Sequence, residues 1–217
     1  SGTPNDAFGY QALYSNTTGI QNVAVGYQAL YTNTTGNANA AFGAFALQNS
    51  LSGANTALGV ATLQSQTTGG NNTAVGYQAL NKNTTGQNDA FGYQALFNNT
   101  TGAFNVAVGY QSLQANTTGV QNTGVGNLAL YANTAGVANT ALGYGAAYNN
   151  TTGTYNVALG WNALGNQAQT GSYNNAVGAQ ALYNNTSGTP NDAFGYRALY
   201  NNTTGAQNTA VGYQSLY

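Results

Sequence analysis

The chain predicts an all-β fold: a parallel β-solenoid (β-roll) of about 13 coils, each of 16–18 residues with two short strands. Three observations predict it. The phrase Asn-x-Ala-apolar-Gly-aromatic-Gln-small-Leu, closed by a polar run such as Asn-Thr-Thr-Gly, begins at Asn5, Asn22, Asn39, Asn55, Asn72, Asn88, Asn105, Asn122, Asn139, Asn156, Asn174, Asn191 and Asn208. The spacing is mostly 17 residues, which is too short for helix-pair repeats of about 33 residues or more. Glycine, asparagine and threonine, which fill the unit, are poor helix formers.

The elements follow in order along one unit. In Asn72–Gly86, NTAVGYQALNKNTTG, the first six residues alternate as a short strand does. QAL and the residue after it are expected to form a second strand. Asn-Thr-Thr-Gly supplies the corner, because asparagine bonds its own backbone and glycine accepts positive φ. Successive coils then stack as parallel strands about 4.8 Å apart.

The columns support stacking. The leading Asn (Asn5, Asn22, Asn39, Asn72, Asn105) and the Gly four residues later (Gly9, Gly26, Gly76, Gly109) occur in every copy. The Ala column is broken only by Gly124, and the small column admits only Ala, Ser and Thr62. Small columns imply close backbone approach, and asparagines in register are expected to bond as an amide ladder. Bulk lies in an apolar strand column (Phe8, Val25, Phe42, Leu58, Val75), a Leu column (Leu13, Leu30, Leu47) and an aromatic column: Tyr10, Tyr27, Tyr77, Tyr93, Tyr110, Tyr144, Trp161, Tyr196 and Tyr213. Strand alternation sets the apolar residue and the aromatic opposite Asn, Ala and Gly. If the small set fills the coil, the bulky strip is exposed and marks an interface between copies. Alternatively, the apolar and Leu columns fill a monomer's interior and Asn lies at a corner.

Composition excludes several functions. The charged residues are Asp6, Asp89, Asp192, Lys82 and Arg197. No basic patch exists for nucleic acid or an anionic membrane, and no apolar run approaches the roughly 20 residues of a membrane span. Histidine, cysteine, methionine and glutamate are absent, so no catalytic triad, disulfide framework or thiol metal site is expected. The three aspartates share one slot in distant copies, too dispersed to pair or to cage Ca²⁺. No catalytic residue, cofactor or metal is expected.

Residues 1–217 read as a single array, expected to be an excerpt of a longer fibre continued by neighbouring sequence or by another molecule. The opening phrase SGTPNDAFGY returns at Ser187–Tyr196, with Pro4 and Pro190 in equivalent places. The extra residue near Asn166–Thr170 is expected in an outward loop.

The phrase N-[TV]-A-[VLF]-G-x-x-[AS]-L resembles the head repeats of trimeric autotransporter adhesins, whose motif has the form Asn-Ser-Val-Ala-Ile-Gly-x-x-Ser, and related repeats of bacterial surface proteins and phage tail fibres. The resemblance covers the whole chain and is strongest in the strand and its glycine. The unit here is longer by a few residues, and the NTTG corner is extra. The resemblance implies a left-handed parallel β-roll with three chains side by side, adhering to host or matrix surfaces.

The functional expectation is therefore an extracellular or surface-displayed structural or adhesive fibre segment, homo-oligomeric with a trimer favoured, that contacts polysaccharide or cell-surface ligands multivalently. Alternatives are a monomeric ice-binding solenoid and a subunit of an end-to-end filament. The aromatic column serves either an interface, a structural stack or sugar rings. The Thr row (Thr17, Thr34, Thr67, Thr84, Thr100, Thr117) serves either as turn chemistry or as a displayed array. Asn-x-Thr sequons at Asn16, Asn33, Asn83, Asn99, Asn116, Asn150 and Asn202 are candidate glycosylation acceptors.

Overall fold

The computed structural model describes residues 2–166 and 168–217. The chain divides after Phe104 into two compact units. The first holds strands β1 (Asn5–Phe8), β2 (Asn22–Val25), β3 (Ala40–Phe42), β4 (Thr56–Leu58), β5 (Thr73–Val75) and β6 (Asn88–Phe91). The second holds β7 (Asn105–Val108), β8 (Thr123–Val125), β9 (Thr140–Leu142), β10 (Val157–Leu159), β11 (Asn175–Val177), β12 (Asn191–Phe194) and β13 (Asn208–Val211). Within each unit every strand pairs in parallel with the strand of the next coil, and equivalent residues face each other, as Ala7 does Ala24 and Ala24 does Ala41. The all-β parallel solenoid expected from the repeat is the fold of the chain.

The register follows from the glycine that ends each strand. At Gly26 φ is +136°, and a Cβ there would lie 2.6 Å from the carbonyl of Gly43 in the next coil. Only glycine lets the coils approach so closely where the chain leaves the strand.

The second strand does not form. Each coil has one strand, and the Gln-Ala-Leu segment is a run of turns. Its alternate residues take the left-handed conformation, with φ of 52° at Gln28 and 51° at Leu30. That alternation curls the backbone, so it cannot extend. Its hydrogen bonds are still made between coils: Gln28 N–H donates to the Tyr10 carbonyl at 2.9 Å and Leu30 N–H to the Ala46 carbonyl at 3.0 Å. Holding a leucine at positive φ costs about 1–3 kcal/mol. Burying its side chain returns a similar amount, about 1.5–3 kcal/mol, and the coil-to-coil bonds tip the balance.

The interior combines features of both expected arrangements. Ala24, Ala29, Leu30 and Asn33 have no solvent exposure, and Asn22 has 1%. The Leu column thus lies inside with Asn and Ala, while the strand's apolar residue points out: Val25, Phe42 and Leu58 are all exposed. The expected outward loop near Asn166–Thr170 includes Gln167, which lies outside the described residues. Gln169 bridges in parallel to Asn150 and is buried.

Candidate functional site

Two amide ladders line the interior. In the first, the Asn22 side-chain amide donates to Asn5 Oδ1 at 3.0 Å and to the Gly36 carbonyl at 2.9 Å, while its backbone N–H donates to the same Oδ1 at 2.9 Å. Asn39 repeats this on Asn22, Asn72 on Asn55, and Asn122 on Asn105. Asn5, Asn22, Asn39, Asn72 and Asn105 are thereby accounted for as structural side chains, as are Gly9, Gly26, Gly76 and Gly109, whose φ values lie between +130° and +138°.

The second ladder is the Asn of the Asn-Thr-Thr-Gly corner, eleven residues after the leading Asn. Asn99 donates to Asn83 Oδ1 and Asn133 to Asn116 Oδ1, both at 2.8 Å. Sequence reasoning missed this ladder and took these residues as turn formers and sequons. The amides of Asn33, Asn83, Asn99, Asn116 and Asn150 are buried, so a glycosylating enzyme reaches them only if the coil opens. Two buried oxygens in this ladder, Asn33 Oδ1 and Asn150 Oδ1, lack a hydrogen-bond partner. Each lies where the column changes residue in the next coil, to Ser50 or to Gln169.

The Thr row turns its hydroxyls to the backbone. Thr17 Oγ1 donates to the Thr34 carbonyl at 2.9 Å, Thr67 to Thr84 at 3.2 Å, Thr84 to Thr100 at 2.9 Å and Thr117 to Thr134 at 3.0 Å. Thr34, Thr84, Thr100 and Thr134 supply the accepting carbonyls. Of the row, Thr17 and Thr67 are exposed and the other four half-buried, while the adjacent threonines Thr18, Thr35, Thr68, Thr85, Thr101 and Thr118 are all exposed.

The aromatic column lies outside. Tyr10, Tyr27, Tyr77, Tyr93, Tyr110, Tyr144, Trp161, Tyr196 and Tyr213 are all exposed. Neighbours stack where the column is continuous: Tyr10 on Tyr27 at 5.3 Å, Tyr77 on Tyr93 at 5.5 Å and Tyr196 on Tyr213 at 5.3 Å between ring centres. Such pairs add about 0.5–1.5 kcal/mol each. A second aromatic column, which the sequence reading did not separate from the first, follows the core leucine. In it Tyr14 stacks on Tyr31, Tyr131 on Tyr148, Tyr183 on Tyr200 and Tyr200 on Tyr217. Burial raises the Tyr148 phenol above the ordinary value, and Tyr131 and Tyr144 add to the effect. Between the two columns runs an outer glutamine ladder, with Gln28 donating to Gln11 at 2.8 Å and Gln94 to Gln78 at 2.9 Å.

The two basic side chains lie against these outer rings. The Arg197 guanidinium lies 5.1 Å from the ring centres of both Tyr196 and Tyr200, and Lys82 lies 5.0 Å from that of Phe97. Asp6 and Asp89 are exposed, and Asp192 accepts from the Asn175 amide at 2.7 Å. Among the described residues no three His, Cys, Asp or Glu side chains come together to hold a metal, and no helix is long and apolar enough to cross a membrane. No known protein family, curated protein or solved structure matches the chain.

Proposed function

We propose that the chain is a non-enzymatic segment of an extracellular structural or adhesive fibre that associates with copies of itself, three chains side by side, through its outer strand face. One observation carries this reading: in both units the outward strand column is apolar in every coil, and Phe8, Val25, Phe42, Leu58, Phe91, Val108, Leu142 and Phe194 are exposed. Apolar strips of this extent mark interaction surfaces. The aromatic column beside them and the outer glutamines repeat the same groups coil after coil. A surface of that kind binds glycans or other repeating ligands by multivalency, with many weak contacts in place of one strong site.

The test is solution mass by light scattering across a wide concentration range. The expected mass is three times the chain mass of 22.1 kDa. The double variant Val25→Lys, Val108→Lys places a charge on the strip of each unit and is expected to dissociate the assembly while preserving the β-sheet circular dichroism. A wild-type chain that stays monomeric at every concentration would sink the proposal.

A further inference from the structure

Between Tyr131 and Tyr217 the second aromatic column is interrupted at a single rung, where glycine takes the place of tyrosine. In the second unit it runs Gln114, Tyr131, Tyr148, Gly165, Tyr183, Tyr200 and Tyr217. The rings on either side are regularly spaced: Tyr131 and Tyr148 lie 5.0 Å apart and 5° from parallel, and Tyr183 and Tyr200 lie 5.2 Å apart and 11° from parallel. Gly165 therefore separates Tyr148 from Tyr183 by two coil rises, about 10 Å at the usual strand spacing. The neighbouring glutamine column changes at this rung and at the one before it. Asn162 replaces glutamine in the coil of Gly165 and Gly145 does so in the preceding coil, where the Asn162 side chain folds over it, its Oδ1 where a Cβ on Gly145 would be. The two glycines open a cavity of about 310 Å³ lined by Tyr148, Tyr183, Tyr144, Leu128 and three asparagines.

We propose that this cavity binds the flat aromatic ring of a small phenol-class ligand, stacked between Tyr148 and Tyr183 as the missing rung of the ladder. The ladder fixes the thickness of the guest. A planar ring fits at one coil rise from each neighbour, in the same offset stack the tyrosines adopt with one another. A pyranose chair is thicker and matches that height less well. The rim supplies the polar complement. Asn149 spends its side-chain NH2 on the Asn166 carbonyl at 2.7 Å and the Gly165 carbonyl at 3.3 Å, which leaves its Oδ1 as the group to accept a phenol hydroxyl. Leu128 and the tyrosine faces supply the apolar wall, the usual composition of a small-molecule site.

The probe is p-cresol, titrated into the full chain by calorimetry and by ligand-observed NMR. One saturable site per chain is expected, with upfield ring-current shifts on the cresol protons. Gly165→Tyr fills the rung and is expected to abolish binding. Tyr183→Leu removes one stacking face and is expected to weaken binding at least tenfold while the β-sheet circular dichroism is unchanged, so the inference stays testable if Gly165→Tyr does not fold. Tyr27→Leu, in the other aromatic column of the first unit, is expected to leave binding unaltered. The inference is overturned by absence of saturable cresol binding, by equal binding in Tyr183→Leu, or by methyl glucopyranoside binding as tightly as cresol. Concentration-dependent pairing of chains that Gly165→Tyr abolishes, without cresol binding, would assign the slot to a tyrosine of a second copy and equally overturn it.

Discussion

Asn122→Ala removes one rung of the first amide ladder, and its cost can be worked bond by bond. Asn122 is fully buried. Its Oδ1 accepts the Asn139 backbone N–H at 3.0 Å and the Asn139 amide at 3.0 Å, and its own amide donates to the Gly136 carbonyl at 2.8 Å and to Asn105 Oδ1 at 3.2 Å, an oxygen that the Asn122 backbone N–H continues to serve at 2.9 Å after truncation. After truncation the Asn139 amide keeps the Gly153 carbonyl at 2.8 Å, and the Gly136 carbonyl keeps a longer contact of 3.4 Å from Asn133. The Asn139 backbone N–H keeps nothing. One orphaned buried donor costs about 1–3 kcal/mol, and the lost Gly136 bond adds about 1 kcal/mol. The expected loss is roughly 2–4 kcal/mol. Solenoids unfold by neighbouring coils, so the assay is native-state hydrogen exchange together with urea denaturation. The Asn139 amide is expected to lose protection by a factor of about 30 or more, since each 1.4 kcal/mol is tenfold. Thr118→Ala, which alters an exposed side chain, serves as the control and is expected to stay within about 0.5 kcal/mol. Equal protection of Asn139 in Asn122→Ala and Thr118→Ala would refute the view that the ladder, and not strand pairing alone, holds the coils.

Three further outcomes follow from the same geometry. Gly124 is the one glycine in the interior Ala column, and a Cβ there would lie 2.7 Å from Ser112 Oγ; Gly124→Ala alone is expected to cost about 1–3 kcal/mol by overpacking, and adding Ser112→Ala is expected to recover most of it in a double-mutant denaturation cycle. Ser50→Asn gives Asn33 Oδ1 the donor it lacks and is expected to raise stability by about 1 kcal/mol, read from the urea midpoint. The raised Tyr148 phenol is expected to appear in an alkaline absorbance titration as a late-ionising tyrosine that Tyr148→Phe removes. Because the folded phenol holds its proton more tightly than the unfolded one, its contribution to stability is complete below the ordinary value of 10.0 and is lost as pH rises through the folded value.

The strand and its inward face were legible because period-two alternation recurs at fixed columns. Asn22, Ala24 and Gly26 were read as one set and Val25 as the opposite one, and the structure separates them that way. The second segment was misread because backbone φ leaves no direct mark on residue type: Gln28 and Leu30 sit at positive φ without glycine. A signal was present all the same. The small column and the Leu column are adjacent in sequence, as in Ala29 and Leu30, and both are inside. Consecutive inward residues are incompatible with an extended strand. The second Asn ladder carried a comparable mark. Its column varies only to Ser50, Gln66 and Gln169, which are side chains that can still hydrogen-bond, whereas a corner facing water has no need to keep them. The slot at Gly165 was not legible, since a glycine in a turn column looks like ordinary turn chemistry until the stacked rings above and below it are seen.

The inner and outer columns vary under different rules, and that difference locates function. Inside, the next coil's backbone sits close enough that a single methyl must be answered by a neighbour, as Gly124 answers Ser112. Outside, the column after the core leucine passes through tyrosine, glutamine, asparagine and phenylalanine with no matching change in the fold of the coil, and only the glycine rung coincides with a longer coil. The interior is therefore committed to holding the coils together, and sequence change there is limited to local exchanges. The exterior can change one rung at a time without disturbing its neighbours. Recognition by repetition uses the rungs that stay alike, the apolar strip and the stacked tyrosines. Recognition of a single ligand needs a rung that differs, and within the second unit Gly145 and Gly165, on successive coils, line one.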